Sequence, residues 1–87
     1  MKIIANNFVS KVSASPNPTS GTVKILLNVE YPSLEIKVYD LFGRLVQAEK
    51  KYNVQSFQLD IDGLAGVYFI NVSDDKGFLR SMKILKQ

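Results

Sequence analysis

From Thr22 onward apolar and polar residues alternate with period two. Val23, Ile25, Leu27, Val29 and Tyr31 share one face, with Lys24, Asn28 and Glu30 on the other. Successive side chains of an extended chain point to opposite faces, so this is the pattern of a half-buried strand. After Pro32-Ser33 it resumes as Leu34, Ile36 and Val38 against Glu35, Lys37 and Tyr39, and predicts a hairpin turning at that dipeptide. Asp40-Leu41-Phe42-Gly43 supplies the next turn, with Gly43 placed for positive φ. Arg44 to Lys51 reads as a less regular strand, and Phe57, Leu59 and Ile61 alternate with Gln58, Asp60 and Asp62. Gly63-Leu64-Ala65-Gly66 then turns the chain into Val67 to Ser73, where Tyr68, Ile70 and Val72 share a face. Asp74-Asp75-Lys76-Gly77 is a hairpin-type turn before a last strand from Phe78 to Lys86.

Upstream, a run from Phe8 to Ala14 stops at Ser15-Pro16-Asn17-Pro18-Thr19-Ser20-Gly21, where the prolines remove backbone donors and hold Ser15 and Asn17 extended. It reads as a strand entering a rigid crossover. About seven short strands with turns every ten residues or so predict an all-β, immunoglobulin-like antiparallel β-sandwich without a long helix. The expected core is Val23, Ile25, Leu27, Ile36, Val38, Phe57, Leu59, Ile61, Tyr68, Ile70 and Val72. Residues 1–7 read as an added start or frayed linker, and 8–87 as the domain.

Composition narrows the chemistry. At 87 residues the chain has room for one domain, and surface scaling leaves about 9,000 Å² to bury, a thin core. It has no His, Cys or Trp, which removes the commonest general base, thiolate chemistry, zinc-thiolate sites and disulfides. The net charge of +3 is spread from Lys2 to Lys86, so no basic cluster marks a nucleic-acid partner. No apolar run is long enough to insert in a membrane, and the start lacks a secretory signal.

The close carboxylates, Asp60-Ile61-Asp62-Gly63 and Asp74-Asp75, lack the further ligands of a calcium loop and read as turn residues. Glu30 and Glu35 face outward on neighbouring strands and read as partners of Lys24 and Lys37. No phosphate loop, nucleophile elbow or metal motif occurs, so no catalytic, metal or cofactor site is assigned. Period two sets Tyr39 and Phe69 opposite the core residues of their strands, which makes them candidates for a partner surface. Arg80, Lys83 and Lys86 read as charged protection of an edge strand.

Taken in order, four motifs carry a resemblance: Ser15-Pro16-Asn17-Pro18-Thr19; Val38-Tyr39-Asp40-Leu41-Phe42-Gly43-Arg44-Leu45-Val46; Leu64-Ala65-Gly66-Val67-Tyr68-Phe69-Ile70; and Lys83-Ile84-Leu85-Lys86. The chain resembles the type A C-terminal sorting domain of the type IX (Por) secretion system of Bacteroidetes-type bacteria, over about residues 10 to 87. The resemblance implies a non-catalytic domain at the C-terminus of a larger cargo protein. Its implied partners are the cargo, the outer-membrane translocon and a sortase-like peptidase that commonly removes the domain. The implied route runs through the periplasm to the cell surface or the medium. Lys83, Ile84, Leu85 and Lys86 would carry the translocon signal. Pro16, Asn17, Pro18, Asp40, Gly43, Arg44, Gly66 and Tyr68 would be structural. The alternative is an accessory adhesion or carbohydrate-binding β-sandwich of a secreted hydrolase, which predicts an exposed aromatic row or a calcium site.

Overall fold

The computed structural model describes residues 12–77 and 79–87. They form five strands: β1 (Val12–Ser15), β2 (Thr22–Asp40), β3 (Leu45–Asp60), β4 (Gly66–Asp74) and β5 (Leu79–Lys86). All pairings between these strands are antiparallel, and the described residues contain no helix. The Phe8–Lys11 part of the expected first strand and the Phe78 start of the last lie outside the described residues, as do residues 1–7.

Five strands replace the expected seven because two predicted breaks are not turns. β2 runs straight through Pro32-Ser33, where the sequence predicts a hairpin, and β3 joins the two runs expected at Arg44–Lys51 and Phe57–Ile61. β2 and β3 together make one long ribbon with a register shift between Leu26 and Tyr31. What changes at Pro32 is the other neighbour of β2: β1 pairs with Lys24–Leu27, whereas β4 pairs with Leu34–Asp40. Pro32 falls in the gap between those partners, where neither β1 nor β4 pairs with a residue that lacks an N–H.

This change of neighbours takes β2 from one layer to the other, as when a strand switches sheets. Buried positions are odd before it (Val23, Ile25, Leu27, Tyr31) and even after it (Leu34, Ile36, Val38). That change of phase keeps both halves of β2 facing the same interior. Opposite Pro32, Asn53 takes φ 54°, and the Tyr31 hydroxyl donates to Asn28 Oδ1 at 3.1 Å. Burial and the charge of Asp74 push the Tyr31 phenol above its ordinary value.

The core holds every expected residue except Phe57, which is half-buried and packs against it from β3 with the Lys51 ammonium 5.6 Å from its ring centre. Tyr31, Leu34 and Ile84 join the core. β5 lies beside β4 at one end of the sheet order, and β3 pairs only with β2 among the described residues.

Candidate functional site

The Ser15–Gly21 crossover lies against the C-terminal strand. Asn17 and Thr19 run alongside β5, and Thr19 forms a parallel bridge with Lys86. The Asn17 side-chain amide donates from Nδ2 to the Lys83 carbonyl and accepts the Leu85 N–H at Oδ1, each at 3.0 Å. Thr19 then donates its N–H to the Leu85 carbonyl at 2.9 Å and accepts the Gln87 N–H at 2.8 Å. Thr19 is 2% exposed, and its hydroxyl is also fully used, donating to the Thr22 carbonyl and accepting the Gly21 N–H. Pro16 and Pro18 bracket Asn17 and leave it exposed on this edge.

The other motifs gather at the same end. In the turn after β2, Asp40 Oδ1 accepts the N–H groups of Phe42 and Arg44, and Oδ2 accepts the Arg44 guanidinium at 2.8 Å. The Arg44 amide above all, with its guanidinium and the Phe42 amide, holds the Asp40 carboxyl below the usual range against a smaller opposing effect of lost hydration. Gly43 has φ 82°, a conformation that L side chains rarely adopt, and it donates to the Asp40 carbonyl. Asp40 pairs with Tyr68 across β4, and the Tyr68 hydroxyl donates to the Leu64 carbonyl at 2.7 Å. Gly66, at φ 152°, pairs with Lys86.

The tail residues separate by environment. Ile84 is 1% exposed and belongs to the core. Lys86 is half-buried, its ammonium donating to the carbonyls of Ile61 and Gly63 at 2.7 Å each. Lys83 and Leu85 are exposed on the outer face. There the register aligns Lys83, Phe69, Tyr39 and Leu45 in one row, with Leu85 beside Val67 in the next. Tyr39 and Phe69 are therefore direct cross-strand neighbours, half-buried on the face opposite the core.

Beside this face, Phe42, Val46, Leu64 and Val67 line an open cleft of about 490 Å³ between the two turns, with Arg44 and Asp62 at its polar edge. Phe42 and Leu64 are 81% and 85% exposed. Asp60 and Asp74 serve a strand end and a turn. Asp60 accepts the Thr22 hydroxyl, and Asp74 caps its turn through the Lys76 N–H. Among the described residues no three His, Cys, Asp or Glu converge as metal ligands.

Sequence reasoning missed Thr19 as a buried hub, Gln47, which binds both Asp60 O and Asp62 N, and Gly63, where a Cβ would sit 2.7 Å from the Tyr68 hydroxyl. No period-two signal marks such contacts, because they depend on how the turns and strand ends meet and not on alternation along one strand.

The chain matches the family model described as secretion system C-terminal sorting domain over residues 13–87. Among solved structures it is similar to a DUF3244 family protein from Bacteroides vulgatus with an immunoglobulin-like β-sandwich fold. The two share 12% identity with a TM-score of 0.68, covering 88% of this chain and 95% of that one. At that identity the likeness shows the fold, an immunoglobulin-like β-sandwich. No curated protein matches the chain.

Proposed function

This chain belongs to the secretion system C-terminal sorting domain family, and from that membership we propose that it is the address read by the outer-membrane type IX translocon. Family membership itself means a domain attached to a cargo protein, handled by the type IX system and bound for the cell surface or the medium. Within that frame we assign it no reaction of its own. The cargo crosses the periplasm folded, the translocon engages the domain, and a sortase-like peptidase then removes it. Membership favours this reading over the accessory adhesion module.

The observation that carries the site is the division of the tail. Ile84 is in the core and Lys86 is bound to two carbonyls, so the side chains that a receptor meets are Lys83 and Leu85. Both stand on the outer sheet face beside Phe69, Tyr39 and Val67, where an apolar and aromatic surface carries a charge at its rim.

The test is export of a folded reporter placed between a signal peptide and this domain in a type IX-competent cell. Lys83→Ala with Leu85→Ala removes exposed groups at a stability change of about 0.5 kcal/mol or less each. The expected result is a reporter retained in the periplasm with the melting temperature of the domain preserved. Export at the wild-type rate would remove Lys83 and Leu85 from the signal. Lys86→Ala belongs in a separate arm, because it breaks a structural contact.

A further inference from the structure

An edge strand exposes a row of N–H and C=O groups to which another chain can add as a strand, and a terminal strand is a natural place for a receptor to do so. Along β5 and into Gln87 the backbone groups of Lys83, Leu85 and Gln87 turn outward, away from β4, and the alternation of an antiparallel strand sets those of Leu79 and Ser81 outward with them. The Lys83 C=O, the Leu85 N–H and C=O and the Gln87 N–H are already taken, by the Asn17 side chain and the Thr19 backbone. Asn17 lies between two prolines, and Pro18 has no N–H with which to continue a ladder. The Asn17 carboxamide, using one of its two N–H donors and its C=O acceptor in one plane, acts as a peptide group displaced onto a side chain.

We propose that Asn17 and Thr19 form a built-in surrogate strand that closes the C-terminal half of β5 against strand addition, with the Asn17 carboxamide replacing the peptide group that the prolines deny. A partner of the folded domain then reaches the tail at Lys83 and Leu85 through side chains alone. Among the described residues, backbone pairing is confined to the short edge at Leu79–Ser81, where the exposed Arg80 further discourages it. The functional half rests on the reading that the tail is the recognised element; the closure itself does not.

Amide hydrogen exchange on the whole chain, followed residue by residue by NMR, tests the closure. In the wild type the Leu85 and Gln87 amides should exchange nearly as slowly as Ile84, and slower by on the order of tenfold or more than the outward Leu79 and Ser81 amides of the same strand. Exchange of Leu85 and Gln87 at the rate of Leu79 and Ser81 would overturn the proposal. In Asn17→Ala, Leu85 should speed up on the order of tenfold with Ile84 unchanged; equal acceleration of both would deny Asn17 its specific role. Asn17→Asp keeps an acceptor for the Leu85 amide and removes the donor to Lys83, so Leu85 should stay protected there, and losing that protection would count against the assignment. None of these readouts depends on export, so a failed closure leaves the Lys83 and Leu85 export experiment standing, and a failed export experiment leaves the closure standing.

Discussion

Thr19 is the residue on which the candidate site hangs. Its hydroxyl and backbone make four hydrogen bonds in a position 2% exposed to solvent. Thr19→Val keeps the shape and deletes the hydroxyl, leaving the Gly21 N–H without an acceptor. A destabilisation of about 1–3 kcal/mol is expected, visible as a fall in Tm of roughly 4–8 °C per kcal/mol for a domain of this size. Asp40 makes a different kind of hub, charged and at the surface. Its folded pKa is depressed by the Arg44 and Phe42 groups, so its contribution to stability is complete above the ordinary carboxylate range and is lost as pH falls through the lower, folded value. The Phe42 and Arg44 amide resonances should therefore titrate with a midpoint below 3.8, the ordinary value. In Asp40→Asn that transition should vanish.

The β2–β3 ribbon shows what alternation reveals and what it conceals. Val23, Ile25, Leu27, Ile36 and Val38 are recognisable as core because a half-buried strand must alternate. The phase change between Tyr31 and Leu34 looks like two strands and a turn. It is one strand changing neighbours, and the chain carries no local mark of which partner lies alongside it. Ile84 escaped the core list for a similar reason: within Lys83-Ile84-Leu85-Lys86 it reads as part of a surface motif, while its register against Tyr68 places it inward. Asn53, opposite Pro32, holds φ 54°, where a residue with a Cβ and no amide to bond locally is strained. Asn53→Ala should cost about 1 kcal/mol and Asn53→Gly should be about neutral. Urea unfolding midpoints at equal m would check both.

For the whole molecule, motifs from four parts of the chain meet at one end of the sandwich, and that convergence could not be read from spacing. The turns were legible from Asp40, Gly43 and Gly66, because their chemistry is local. Contacts between Asn17 and β5 were not, since they depend on how the layers close. Those contacts join positions 66 and 68 apart in the sequence. During synthesis Asn17 emerges first and waits, because the groups it will bind follow 66 and 68 residues later. A chain ending at Met82 would have no Lys83 or Leu85 to offer Asn17, and Thr19 would remain with a buried N–H and no acceptor. Closure of the sandwich at this end thus reports that the chain has been made through the whole of β5. A domain built this way can present a finished outer face only after its own tail exists.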